Sequence, residues 1–432
     1  MANSDSTANS STLNTALAPV SQAERVFTWN THAALWFSMG VGLLVMQTGA
    51  YLVPALGGRD AAVAVLVGSL LGSALLAWTA RVGADHGLSS AALMHRTYGS
   101  MFAHLPVFLN VVQLIGWTMF ELVIMRDGTI TIAKNSFGLA LDGAGGLVLT
   151  TLLWGVLVTL MLVGNMTTTV RRLLGRYALP LVIASLVWLT WEFGRQLQAT
   201  GLDVFWTRKG DGTMGMPAAV DLVMAMPVSW LPLVADYSRF GRSGRSAFSG
   251  TLLGYTLANV WCYALGVMAA TVAPPTDDLV TALLLAQGGL LALGLILLDE
   301  IDNAYGDVYS GAVSSHSIIP KFTVRQWSIG IAVLCTGLAM VLPMRSLENF
   351  LLLLSSVFVP LYGVILGRQG SSSPSGSVQK STMAKFEPVA AGIWIAGIAL
   401  FQVLSNLAPG WGATLPTLAA TFALAWLTGS KR

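Results

Sequence analysis

Charged side chains make up only 10% of the 432 residues, against about 25% in soluble domains, so water is not the main solvent of this chain. Cysteine is almost missing. Cys262 and Cys335 both lie in apolar stretches, where a free thiol behaves as a small hydrophobe, and a disulfide framework is excluded. The five histidines, at 32, 86, 95, 104 and 316, are scattered, and no HExxH, CxxC, P-loop or GxSxG pattern occurs. The commonest signatures of metalloprotease, redox, nucleotide-hydrolysing and serine-hydrolase chemistry are therefore missing. The formal charge of +3 is spread over connections and forms no basic stripe, which leaves nothing for nucleic acid. The first 20 residues lack the basic start and apolar run of a signal peptide.

What the chain has is apolar length. Crossing the hydrocarbon takes about 20 apolar residues per helix. Such stretches occur near 31–54, 61–80, 104–125, 145–164, 174–193, 216–236, 247–272, 283–311, 326–343, 347–366, 387–407 and 412–428, here called spans 1 to 12. They predict an all-α polytopic membrane protein of about twelve transmembrane helices. With the N-terminus inside, most of the 23 Lys and Arg residues fall on cytoplasmic connections, as the positive-inside rule requires. Both termini are expected to be cytoplasmic, in a bacterial-type inner membrane. Residues 1–28, opening on Ser, Thr, Asn and Ala, read as a disordered cytoplasmic tail. Residues 369–386, dominated by Ser and Gly, read as a flexible cytoplasmic linker, and 387–432 carry spans 11 and 12.

The chain also repeats itself. A shift of 182 residues carries Gly68-Ser-Leu-Leu-Gly72 of span 2 onto Gly250-Thr-Leu-Leu-Gly254 of span 7, the small-xxx-small spacing that lets membrane helices approach closely. The same shift carries Gln47-Thr48-Gly49, a polar interruption in span 1, onto Ser229-Trp230-Leu231, which sits between Pro227 and Pro232 in span 6. Prolines remove backbone donors and interrupt helices, and interrupted segments at matching places in two halves point to a transporter binding site. Span 3 falls on span 8, with Trp117 on Asp299 and Glu121 on Asn303; span 5 needs a slip of about nine residues to meet span 10. Residues 29–196 and 212–368 are thus expected to be two five-helix repeats. An odd number of helices inverts the second relative to the first.

Ionisable residues inside a membrane helix are costly and default to functional candidates. Span 8 reads Asp299-Glu300-Ile301-Asp302-Asn303-Ala304-Tyr305-Gly306-Asp307. Helical steps of about 100° group Asp299, Asp302 and Asn303 with Tyr305 or Asp307 on a broad face and turn Glu300 elsewhere. In span 3, Gln113, Trp117 and Glu121 share a stripe, so Trp117 is expected to stack on a flat ligand and Glu121 to meet it one turn away. An intramembrane hydrolase with paired carboxylates is the competing class of reading.

At the end of span 6 the chain reads Trp230-Leu-Pro-Leu-Val-Ala-Asp236-Tyr237-Ser238-Arg239-Phe240, which resembles the signature of the nucleobase:cation symporter-1 family. Further likeness comes from Met46-Gln47, Gly116-Trp117-xxx-Glu121, Asp302-Asn303-xxx-Asp307-xx-Ser310 and Pro360-Leu-Tyr-Gly363-Val. Within that family the chain looks most like the hydroxymethylpyrimidine permeases, with cytosine permeases next. The resemblance implies a leucine-transporter-like fold, a five-plus-five inverted repeat with two extra C-terminal helices. It implies a symporter for a small-molecule base that needs no cofactor beyond sodium or a proton as coupling ion. Carried over, the substrate residues would be Gln47, Trp117, Glu121, Trp230, Asn303 and Asp307, and the cation site, with sodium as its metal, Leu43, Met46, Leu298, Ile301 and Asp302. Ile301 and Asp302 stand where relatives carry hydroxyl residues. In a hydantoin-transporting relative, Gln and Asn stand at the places of Glu121 and Asp307. An ionised carboxylate only accepts hydrogen bonds, so the change favours an aminopyrimidine such as hydroxymethylpyrimidine or cytosine. Asp236 and Arg239 are expected to anchor the helix end. An amino-acid or hydantoin/allantoin transporter on the same fold is the alternative.

Overall fold

Leu, Val and Ala runs with few breakers form long helices, and the computed structural model describes them over residues 16–163, 179–273, 279–342, 347–370 and 384–429. In chain order they are α1 (Trp29–Ser38), α2 (Leu43–Ala50), α3 (Gly58–His86), α4 (Ser90–Tyr98), α5 (His104–Phe137), α6 (Ala144–Val163), α7 (Leu179–Thr200), α8 (Leu202–Thr207) and α9 (Met216–Ser229). There follow α10 (Leu231–Ser238), α11 (Gly244–Val272), α12 (Leu279–Leu285), α13 (Gly289–Ile318), α14 (Val324–Val341), α15 (Leu347–Gln369), α16 (Pro388–Leu407) and α17 (Thr414–Gly429).

Among the described residues eight helical segments are long and apolar enough to cross a membrane, one of them α9 with α10, and the bent pair α1 and α2 makes a ninth. The three remaining expected spans correspond to α7, α13 and α17. α13 carries four acidic residues in its middle, and α17 is only 16 residues long. Leu66 and Leu70 of α3 and Leu149, Leu153 and Val156 of α6 lie exposed on the outside of the bundle. Lipid, not water, suits such a belt.

The glycine pairs show how the two halves interlock. A Cβ on Gly68 would lie 2.7 Å from Val223 of α9, and one on Gly72 would strike Pro227. In the other half a Cβ on Gly250 would lie 2.8 Å from the His32 Cβ of α1, and one on Gly254 would strike the Ala33 backbone. Span 2 therefore packs on span 6, and span 7 on span 1, an exchange that two inverted repeats produce. α3 also packs on α11 and α5 on α13, while α15 packs on α17.

The disordered tail expected over 1–28 does not extend over residues 16–28. Val20 N–H donates to Gly87 O at 2.9 Å, Phe27 N–H to Phe240 O at 2.8 Å, and Arg242 N–H to Phe27 O at 3.0 Å. Backbone pairing of this kind holds the segment against the ends of α3 and α10. Residues 1–15 and most of the expected 369–386 linker lie outside the described residues.

Candidate functional site

The site begins where span 1 is interrupted. α1 and α2 meet at 60° across residues 39–42, which leaves the Val41 carbonyl and the Leu43 N–H without partners in their own helix. Close approach restricts Gly40, where a Cβ would lie 2.8 Å from the Ala258 Cβ, and Gly42 is tightly placed, with a Cβ 3.2 Å from a Glu300 carboxyl oxygen. The interruption expected at Gln47-Thr48-Gly49 is instead regular helix. Thr48 satisfies its hydroxyl by donating to Leu44 O at 2.8 Å. Gly49 is a packing glycine whose Cβ would lie 2.9 Å from the Tyr263 Cα of α11. Under the shift of 182 the bend maps onto 221–224, about two turns before Trp230, so the two interruptions do not align residue for residue.

α13 supplies what the bend lacks. Leu43 N–H donates to Glu300 Oε1 at 2.5 Å, Asn303 Nδ2 donates to Val41 O at 3.2 Å and to Glu300 Oε2 at 3.1 Å, and the Ser38 hydroxyl donates to Asp299 Oδ1 at 3.3 Å. Glu300 thus caps α2 in place of the side chain that Gly42 does not have. A carboxylate at a helix N-terminus pairs an orphan donor and meets the positive end of the helix dipole.

Span 6 is interrupted differently. Trp230 joins α9 to α10 with φ −84° and ψ −10°, and the two pieces together make one 23-residue span. Here α5 attends to the break: Gln113 Nε2 donates to Ser229 O at 3.3 Å and Asn110 Nδ2 to Pro232 O at 3.1 Å. Pro227 has no N–H for the Val223 carbonyl, and the Tyr263 hydroxyl approaches that oxygen at 3.4 Å.

Between the two interruptions lies a small cavity lined by Met39, Gly42, Leu44 and Val45 of span 1, Trp117 and Glu121 of span 3, Met226 and Trp230 of span 6, and Glu300 and Asn303 of span 8. Its free volume is about 10 Å³, room for about one water, so the walls stand closed together and must part to admit a ring. Trp230 meets Trp36 edge to face at 6.0 Å, and Trp117 meets Phe350 at 5.3 Å, so each indole is held by a second ring. Glu121 approaches the Glu300 carboxyl from the opposite wall. The lining carries two carboxyls, one amide and two indoles, and neither Lys nor Arg.

Of the residues expected to hold substrate, Trp117, Glu121, Trp230 and Asn303 line this cavity and Gln47 and Asp307 do not. Gln47 donates to the Tyr51 hydroxyl at 2.8 Å along its own helix, while Asp307 is buried on α13 beyond the cavity. Glu300 is the residue that sequence reasoning missed. Its spacing to Asn303 and Asp307, i, i+3 and i+7, puts those three on one helical stripe, a signal hidden by choosing Asp299 and Asp302 as the centre of the face.

Of the residues expected at the cation site, Leu43 meets α13 through Glu300, the Met46 carbonyl lies against Gly266 of α11, and Leu298 is 43% exposed. Ile301 is buried and Asp302 half-buried. Spans 1 and 8 are hydrogen-bonded at Ser38, Val41 and Leu43, around the bend at Gly40 and Gly42. Among the described residues no three His, Cys, Asp or Glu side chains are arranged to hold a metal ion.

Asp236 and Arg239 lie away from the cavity at the end of α10. Asp236 accepts from Ser90 N–H at 3.0 Å and from the Ser310 hydroxyl, and Arg239 donates to the Tyr309 hydroxyl at 3.3 Å. They tie α10 to α4 and α13, as an anchor does.

A family model described as permease for cytosine/purines, uracil, thiamine, allantoin matches residues 19–429. The cytosine permease of Escherichia coli O157:H7 is 25% identical over 328 residues, covering 74% of this chain and 73% of that protein, and that of strain K12 is 24% identical over 330 residues with the same coverage. Among solved structures, Mhp1, a nucleobase-cation-symport-1 family transporter in a closed conformation with bromovinylhydantoin bound, superposes with a TM-score of 0.78 at 17% identity, over 96% of this chain and 94% of that one. A Na+-coupled sialic acid symporter gives 0.63 at 11% identity, over 95% and 91%.

Proposed function

The chain belongs to the family of permeases for cytosine/purines, uracil, thiamine and allantoin, a transporter and not an enzyme, and from that premise we propose that it is a cation-coupled symporter for a pyrimidine-type base, an aminopyrimidine such as hydroxymethylpyrimidine or cytosine. One observation carries this reading: Trp117, Glu121, Trp230, Glu300 and Asn303 come from three spans to one small closed cavity. Two indoles offer flat surfaces, and stacking of a base on an aromatic ring is worth about 1–3 kcal/mol. Carboxyl oxygens that accept hydrogen bonds call for a ligand with an amine.

The absence of Lys and Arg from the lining argues against an amino-acid substrate, whose carboxylate would face Glu121 and Glu300 with no cation beside it. The coupling ion is sodium or a proton, met near the bend of span 1, where Asp299 and Asp302 add negative charge. The protein sits in the inner membrane with both termini in the cytoplasm.

Competition binding to the purified protein tests the reading, with cytosine, hydroxymethylpyrimidine, uracil, hydantoin, allantoin and amino acids as ligands. Aminopyrimidines are expected to compete best. Preferential binding of an amino acid would overturn the proposal. Uptake into proteoliposomes under separate sodium and proton gradients identifies the ion.

A further inference from the structure

On the outer surface of the bundle, between α7 and α11, lies a groove with about 410 Å³ of free volume, against about 10 Å³ in the closed cavity between the interruptions. Its α7 wall is one helical stripe, Val187, Trp191, Gly194 and Gln198, at steps of three or four residues, and its α11 wall is Trp261. Gly194 keeps the groove open, since a Cβ there would meet nothing within 4 Å. The Trp261 indole is fixed on two sides: Nε1 donates to the Thr190 hydroxyl at 2.8 Å, and the ring meets Phe37 of α1 edge to face at 6.4 Å. Val187 and Trp191 are 53% and 64% exposed, which on a membrane-spanning helix means exposed to acyl chains.

The groove changes character along its length. Arg195 and Gln198 stand at one end, in the last two turns of α7, where a span reaches the boundary between hydrocarbon and water. Arg195 spends one nitrogen inside the protein: Nη2 donates to both oxygens of Glu192 at 3.0 Å, and Gln196 Nε2 holds the same carboxylate at 2.9 Å. Glu192 is buried, while the Arg195 side chain is 58% exposed. The guanidinium is therefore anchored by one edge, and Nε and Nη1 remain for an acceptor outside. A guanidinium fork matches phosphate geometry, and basic pockets between membrane helices hold lipid head groups. An apolar slot that ends in an anchored guanidinium is complementary to a molecule with a hydrocarbon tail and a phosphate. We propose that this groove is a phospholipid site: one acyl chain lies along Val187, Trp191 and Trp261 over Gly194, and the phosphodiester accepts from Arg195 Nε and Nη1. The site is separate from the cavity between spans 1, 3, 6 and 8 and does not depend on what that cavity carries.

Native mass spectrometry of the full-length protein in detergent, titrated with phosphatidylglycerol or with diacylglycerol of the same chains, tests the site. The wild type is expected to hold one phosphatidylglycerol about two- to fivefold more tightly than diacylglycerol, the range for an exposed charge contact. Arg195→Gln should bring that ratio to about one while leaving diacylglycerol unchanged. Gly194→Leu fills the slot and should weaken both lipids about tenfold or more, because side chain and acyl chain cannot share the space. If Arg195→Gln fails to purify as a folded protein, Gly194→Leu decides alone, since its Cβ has open space around it. Retention of phosphatidylglycerol by Gly194→Leu as tight as by the wild type would overturn the groove as the site. A wild type that does not distinguish the two lipids would overturn the role of Arg195, and the phospholipid assignment with it.

Discussion

Two glycines interrupt span 1 and two prolines interrupt span 6, and in each case the helix that faces the break from the other half of the molecule supplies the missing hydrogen bonds. At span 1 the partners are Asp299, Glu300 and Asn303 of α13, two of them acids; at span 6 they are Asn110 and Gln113 of α5, both neutral amides. The glycine break bends by 60°, whereas the proline break stays within one continuous span. A sharp bend frees a backbone donor and an acceptor together and exposes a helix N-terminus, which a carboxylate satisfies through both charge and geometry. A proline interruption chiefly leaves carbonyls without donors, and amide or hydroxyl donors suffice. Each break is thus supported by a span of the other half, with acids at one and neutral amides at the other.

The largest expected effect breaks the charged support. Glu300→Ala removes the cap from Leu43 N–H and one partner from Asn303, and hydrogen bonds to charged groups are worth about 1.5–3 kcal/mol, or roughly 10- to 150-fold in affinity. Base binding should fall by that factor and the melting temperature should drop, while Glu300→Gln, which keeps an acceptor for Leu43, recovers most of the stability. An unchanged melting temperature in Glu300→Ala would mean the bend stands without its cap.

The helix contacts that hold the breaks in place come next. Gly254→Ala drives a Cβ into the Ala33 backbone, while Gly68→Ala meets mainly the Val223 side chain. Overpacking costs about 1–3 kcal/mol, and the alanine at 254 should lower the melting temperature more, since backbone yields less than a side chain. Equal losses would remove the asymmetry.

Gln113→Ala sharpens the comparison from the neutral side. It deletes an uncharged hydrogen bond to Ser229 O, so about 1 kcal/mol, roughly a fivefold loss in base affinity, is expected. A loss as large as that of Glu300→Ala would abolish the distinction between charged and neutral supports. The smallest effect is expected at Gln47→Ala, where only the bond to Tyr51 is lost and the change should lie within about 0.5 kcal/mol. Loss of base binding there would restore Gln47 to the site and contradict the cavity assignment.

Much of this was legible beforehand. Composition and apolar length announced a polytopic helical membrane protein, and the Gly68–Gly72 and Gly250–Gly254 pairs marked two halves that meet the interrupted helices of each other. Trp117, Glu121 and Asn303, picked from stripe and charge, and Trp230, picked from the family resemblance, line one cavity. Glu300 escaped because one helix holds four acids, and a helical wheel cannot say which face meets a cavity. Gln47, carried over from the resemblance, lies off the cavity lining, and the break that its polar-glycine triplet suggested lies instead at residues 39–42. Thr48 can bond back to its own helix, and Gly49 is there for contact with Tyr263.

Local chemistry thus determined which segments are helical and that span 6 is interrupted at Trp230, because a proline's missing N–H acts within its own turn. Tertiary structure decided where span 1 bends and which acid caps it, because Gly40 packs against Ala258 and Gly42 lies beside Glu300, residues more than 200 positions away that the fold brings within van der Waals reach.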